Sequence, residues 1–119
     1  MKYLLDTCVL LWFLEGNKKR LGAYHDLIES PENNVAISVV NYWEIAIKSS
    51  LGKLSVPTDW FKAVEDGSFI CLNLERKHIK QLETLPHYHN DPFDRLLISQ
   101  AIVEGRTLLS TDKYILQYL

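Results

Sequence analysis

The chain is poor in cysteine, with Cys8 and Cys71 the only two among 119 residues. Two cysteines do not make a disulfide framework, and each lies in an apolar run. The expectation is a pair of buried thiols in a reducing compartment. Long hydrophobic runs are also missing. None approaches the about 20 residues that cross a bilayer. Met1-Lys2-Tyr3-Leu4-Leu5 meets Asp6 too soon for a signal-peptide core. A cytoplasmic protein with no membrane association is therefore expected. An excess of positive charge is absent too: 13 Lys and Arg face 15 Asp and Glu, for a formal net charge of −2. That excludes the overall basic character of many DNA-binding domains, so any nucleic-acid contact must come from a local patch. There is no internal repeat and no low-complexity segment. What is present is 47% hydrophobic residues, enough for a globular chain with one domain and one core.

Taken in order, short apolar runs alternate with helical patterns. Tyr3–Leu5, Val35–Ile37, Phe69–Leu74 and Thr107–Ser110 read as strands. Helices are expected over Cys8–Leu14, Leu21–Ser30, Val39–Ser50, from a cap at Thr58 or Asp59 to about Glu65, over Glu75–Leu85, from Pro92 to Gly105, and over Lys113–Leu119. Val40, Trp43, Ile47 and Leu51 recur at helical spacing and give the third of these a core face. Ile79, Leu82 and Leu85 do the same for the helix from Glu75. Phe93, Leu97 and Ala101, with Ile98 and Ile102 beside them, do so for the helix from Pro92. The alternation argues an α/β fold: a single domain whose central, mostly parallel sheet of four or five strands is flanked by helices.

The stretch from His89 to Ala101 is the most informative. Asp91 is a good helix N-cap, Pro92 fits the first helical position, and Asp94 falls in the first turn where the helix dipole favours a negative charge. Asp94 points along the buried face, where a carboxylate needs a partner. Asp6 and Asp112 each close a strand, and Glu44 follows a strand-to-helix turn. Capping accounts for Asp6, Asp94 and Asp112 singly, and solvent exposure accounts for Glu44. Together, in a parallel sheet, the four can converge at one edge, where ligand sites form in open α/β folds. Four converging carboxylates repel one another unless cations neutralise them. An oxygen-only donor set suits Mg²⁺ or Mn²⁺, and such a site suits phosphodiester hydrolysis. Lys18, Lys19 and Arg20 form the densest positive cluster, the first candidate for phosphate contact if it is not simply a solvated turn. His87 and His89 have ligand-like spacing but lie in a loop, and His78 reads as a packed residue.

Four segments carry a resemblance: Leu5-Asp6-Thr7, Trp43-Glu44-Ile45-Ala46, Asp91-Pro92-Phe93-Asp94-Arg95-Leu96-Leu97-Ile98 and Ser110-Thr111-Asp112. In order and spacing they resemble the acidic motifs of PIN-domain ribonucleases. The Asp-Pro-Phe-Asp-Arg run, and Lys53 after Leu51-Gly52, are most similar to the VapC toxin branch of type II toxin–antitoxin systems. The resemblance implies a Mg²⁺-dependent endoribonuclease (Mn²⁺ being an alternative ion). Asp6, Glu44, Asp94 and Asp112 would be its catalytic, metal-binding acids, with Thr7, Asp91 and Thr111 in support. Lys53 and Arg95 join Lys18, Lys19 and Arg20 as candidate RNA contacts. A cognate antitoxin and a homodimer are also implied. One departure is that seven residues follow Asp112, so a final edge strand after the last helix is expected to be absent. Among rival readings, a haloacid-dehalogenase-like phosphatase would want an aspartate where Cys8 stands. A phosphoacceptor domain gives no reason for Glu44. A catalytically silent PIN domain that binds RNA or a partner is the remaining alternative.

Overall fold

The computed structural model describes residues 1–118. Its elements run β1 (Lys2–Leu5), α1 (Thr7–Leu14), α2 (Lys18–Leu21), α3 (Tyr24–Glu29), β2 (Asn34–Ser38), α4 (Val39–Ser50), α5 (Trp60–Asp66), β3 (Ile70–Leu72), α6 (Arg76–Leu82), α7 (Pro92–Glu104), β4 (Thr107–Leu109) and α8 (Lys113–Leu116). The four strands form one sheet in the order β3-β2-β1-β4, and every neighbouring pair is parallel. The expected α/β fold with helices flanking a parallel sheet is therefore what the chain adopts. Among the described residues no strand follows α8.

Side chains alternate across each strand, and the two faces bury different residues. Tyr3, Leu5, Val35, Ile37 and Leu109 pack with Val9, Leu10, Leu21, Ile28 and Val64 on one side. Leu4, Ala36 and Leu108 pack with Leu96, Leu97, Ala101 and Ile115 on the other. α4 serves both, sending Ile45 to the first cluster and Val40 to the second. The chain moves outward from β1 through β2 to β3, then returns to place β4 on the opposite side of β1. That reversal opens a crevice beyond the carboxyl ends of β1 and β4, the usual ligand position in such sheets.

Several local expectations need correction. The stretch Leu21–Ser30 is not one helix: Gly22 takes a left-handed φ of 56° and separates α2 from α3. The basic triplet Lys18-Lys19-Arg20 is a helical turn, not a loop. β3 is shorter than expected, and α6 ends at Leu82 with Ile79 exposed, although Leu85 beyond it is buried. Ile102 is exposed on α7. The face of α4 assigned to the core is largely outside: Trp43, Ile47 and Leu51 are 49%, 38% and 62% exposed. The inward face instead carries Val40, Asn41, Glu44 and Ile45. Both cysteines are exposed, not buried. The last expected helical residue, Leu119, lies outside the described residues.

Candidate active site

Each acid is delivered by a different junction at the carboxyl edge. β1 ends at Leu5, and Asp6 caps α1 by accepting from Val9 N at 2.8 Å. Its own N–H donates to Leu109 O at 3.1 Å, which ties the end of β1 to the end of β4. β4 hands on to Ser110, whose Oγ accepts from Asp112 N at 3.0 Å. Asp112 then caps α8 through Tyr114 N at 2.8 Å and Ile115 N at 3.3 Å. On α7, Asp91 caps through Oδ1, which accepts from Phe93 N at 2.9 Å and Asp94 N at 3.0 Å. Asp6, Asp91 and Asp112 are thus helix caps that also line one cleft. Each cap engages Oδ1, and in Asp91 the second oxygen faces Lys48.

Glu44 is brought in by a buried adaptor that the sequence pattern did not single out. Ser38 caps α4, and Asn41 Oδ1 accepts from Ser38 N at 2.8 Å. The Asn41 amide then donates to Leu5 O at 3.3 Å and to Thr7 Oγ1 at 3.1 Å. Thr7 in turn donates to Glu44 Oε1 at 2.5 Å. A T-shaped pair of Trp43 and Phe93, 4.9 Å between ring centres, holds α4 against α7. The cleft thus accounts for the polar residues inside and for Trp43 outside. Lys48, one turn along α4, donates to Glu44 Oε2 at 2.5 Å and to Asp91 Oδ2 at 3.3 Å. An acid and a lysine at i and i+4 were visible in the sequence as a signal.

The result is an open cleft of about 330 Å³ lined by Asp6, Thr7, Glu44, Lys48, Asp91, Asp94, Thr111 and Asp112, with Cys8, Trp12, His89 and Ile115 completing it. All four expected acids and all three expected supporting residues meet there. Oxygens of Glu44, Asp91 and Asp94 lie within 4.8 Å of one another, as do ligand atoms of His89, Asp94 and Asp112. A larger concavity of about 470 Å³ near the end of α3 has Glu29 as its one ionisable lining residue, so size alone does not mark the site.

His89 is the functional-looking residue whose partner could not be foreseen. Its Nε2 sits 2.7 Å from Asp94 Oδ2, and its ring stacks on Tyr114 at 5.5 Å. The loop that carries it is fastened by Tyr118, whose hydroxyl accepts from Tyr88 N and His89 N and donates to Pro86 O. Arg95 Nη1 donates to Pro86 O, His89 O and the Tyr118 hydroxyl. Arg95 therefore supports the cleft from behind, and its guanidinium is engaged by the protein itself. Lys18, Lys19, Arg20 and Lys53 are exposed and outside the cleft lining. Arg20 nevertheless reaches its rim, because its guanidinium lies 5.5 Å from the ring centre of Trp12.

The electrostatics follow from crowding acids in a partly dry place. Burial pushes the Asp6 carboxyl up to about 6, against the hydrogen bonds from Ser110 and Val9, and the nearby Asp94 and Glu44 charges add to it. Burial likewise pushes Asp94 up to about 6, opposed by His89 and reinforced by Asp91 and Glu44. Desolvation works against the Lys48 ammonium, but Glu44 and then Asp91 outweigh it, so its pKa is raised. The Cys8 thiol is pushed up to about 11 by desolvation and then by Asp6, Glu44 and Asp94. It stays protonated near neutral pH and is no nucleophile. Carboxylates that resist ionisation are the groups a cation would relieve, and the donor set is oxygen with one imidazole. It fits a hard divalent ion.

A parallel sheet with an acidic cleft at its reversal point defines the class of protein, and a family model described as "PIN domain" matches residues 3–118. The chain belongs to the PIN domain family. Among solved structures it is similar to that of VapBC2 from Rickettsia felis bound to a DNA fragment from their promoter. The TM-score is 0.69 and the identity 18%, covering 94% of this chain and 88% of that one. At that identity the likeness is one of fold. No curated protein matches the chain.

Proposed function

We propose that this PIN domain is a metal-dependent endoribonuclease of the VapC toxin type, held in check by a cognate antitoxin. The observation that carries the reading is the convergence of Asp6, Glu44, Asp94 and Asp112 in one cleft, with two of these carboxyls resisting ionisation. A silent binding module gives no reason to keep that arrangement, since crowded acids weaken the fold and repel RNA. Asp6, Asp94 and Asp112 would hold Mg²⁺ or Mn²⁺, and Glu44 stands beside them. The ion supplies polarisation of the phosphoryl oxygen and a lower pKa for attacking water.

The chain's own residues do the rest. Thr7 and Asn41 fix the Glu44 carboxylate from behind, and His89 fixes one oxygen of Asp94. Trp12 at the rim, with Arg20 against it, is a surface on which a base or phosphate of single-stranded RNA could rest. Lys18, Lys19 and Lys53 are the remaining candidate contacts along the backbone. The antitoxin and a homodimer are proposed from the likeness to the VapBC2 structure and from the VapC-like motifs, and a cytoplasmic site of action from the RNA target.

The test is brief expression in cells followed by sequencing of RNA 5′ ends. The parent should stop growth and create new internal ends, and Asp94→Asn should do neither. Equal growth arrest by both proteins, with no new ends, would favour the binding module.

A further inference from the structure

Glu44, expected as one of four equivalent metal ligands, has both oxygens engaged by its own chain. Thr7 donates to Oε1 and Lys48 to Oε2, each at 2.5 Å. The Lys48 ammonium also bridges to Asp91 Oδ2 at 3.3 Å. Glu44 itself is 5% exposed. Oxygens of Glu44, Asp91 and Asp94 approach within 4.8 Å of one another. That is spacing fit for one cation, and the ammonium lies on two of the three. On the other side of the cleft, Asp94 meets Asp112 and His89, and Asp6 lies in the same cleft. Lys48 is the one lysine or arginine lining the cleft among the described residues.

Resting on the nuclease reading above, we propose that the Lys48 ammonium is the resident cation of the Glu44–Asp91 side, so that the cleft takes up a single divalent ion, on the Asp94–Asp112 side. Where nucleases hold two metals, the ions sit about 3.5–4 Å apart and share carboxylates. Here an ammonium in hydrogen-bond contact with Glu44 and Asp91 stands where a second ion would have to bind, and it would repel one placed beside it. The arrangement also gives Lys48 a part in substrate binding. An ammonium has three donors. Two are engaged by Glu44 and Asp91, and the third is free to meet a phosphate oxygen in the cleft. Glu44 is then a positioning residue that acts through Lys48, and Asp91 is more than a helix cap. A lysine at this point avoids dependence on a second, weakly held metal. Arginine would not replace it, since a planar fork cannot concentrate its charge between two carboxylates as a compact ammonium does.

The experiment is Mn²⁺ titration of the purified chain, with free Mn²⁺ read by electron paramagnetic resonance and melting recorded in parallel. The parent should take up one ion. Lys48→Met, which keeps the stem and removes the charge, should take up a second, at least about tenfold tighter than any further binding to the parent. It should also melt lower in chelator and gain more from Mn²⁺. Glu44→Gln tests the proposal even if Lys48→Met does not fold. It should still bind one ion with affinity close to the parent's, because Glu44 is not a ligand. Two ions in the parent, unchanged uptake in Lys48→Met, or loss of the ion in Glu44→Gln would each overturn the inference while leaving a metal-dependent nuclease standing. A parent that binds no divalent ion would overturn both.

Discussion

Removing the charge of Asp94 should stabilise the metal-free protein, and the sign of that effect should depend on pH. The Asp94 carboxyl is pushed from 3.8 up to about 6, first by burial and then by Asp91 and Glu44. Its side chain is 16% exposed, so water screens little of this. A carboxyl whose folded pKa exceeds its unfolded value keeps its proton longer in the folded state. The contribution of Asp94 to stability is therefore most favourable below about pH 4 and falls as pH rises toward about 6. Above that the loss is constant, on the order of 3 kcal/mol for a shift of this size. Asp94→Asn avoids the loss. It gives up a first-turn interaction with the helix dipole worth about 0.3–1 kcal/mol and weakens the contact with His89. The net expectation in chelator at pH 7.5 is a gain of about 1–2 kcal/mol, or roughly 4–8 °C in melting temperature. At pH 4 the gain should vanish or reverse. Mg²⁺ or Mn²⁺ should raise the parent by about 2.7 kcal/mol at a hundredfold excess over its dissociation constant, and the mutant far less. The assay is a thermal melt of both proteins at the two pH values, with chelator and with metal. A mutant that melts lower at pH 7.5 in chelator, with equal metal shifts, would reduce Asp94 to part of a helix cap.

The same protons should compete with metal. As pH falls through about 6, Asp6 and Asp94 take up protons, so Mn²⁺ affinity measured calorimetrically should weaken from pH 7.5 to 5.5; a flat affinity would contradict their assignment as ligands. Neutralising Lys18, Lys19 and Arg20 together should reduce the slope of log affinity for single-stranded RNA against log salt by about 2, at roughly 0.7 for each lost phosphate contact. An unchanged slope would move this helical turn to the antitoxin interface or to solvent. Asn41→Ala strips partners from Ser38 N, Leu5 O and Thr7, and should cost about 2–3 kcal/mol in urea unfolding. A loss below about 0.5 kcal/mol would mean water replaces the amide.

The sheet was legible because β1, β2 and β4 are short apolar runs ended by a polar residue, Asp6, Ser38 and Ser110. The acids were legible because strand ends and helix starts are where both caps and ligand sites fall. What misled is instructive on α4. Its outer face carries Trp43, Ile47 and Leu51 at ideal helical spacing, while its inner face carries Asn41 and Glu44. A rule that sends apolar residues inward must choose the wrong side when the buried face is a polar network. Gly22 broke a helix whose pattern ran on through it. His89 and Lys48 acquire their meaning only from contacts across the cleft. The Asp94 partner lies in a loop whose path is set by Tyr118 and Arg95. Spacing gives no access to that path.

The most direct test of the account is cleavage of mixed RNA by the purified chain, with Mg²⁺ and with chelator, beside Asp6→Asn, Asp94→Asn and Asp112→Asn. The account predicts internal cuts with Mg²⁺ and none with chelator. It also predicts that each substitution suppresses cutting in a still-folded protein and that pairs of them are little worse than one, because the acids act as a unit. Cleavage that persists in chelator, or at the parental rate in any of the three variants, would contradict a metal-dependent site in this cleft.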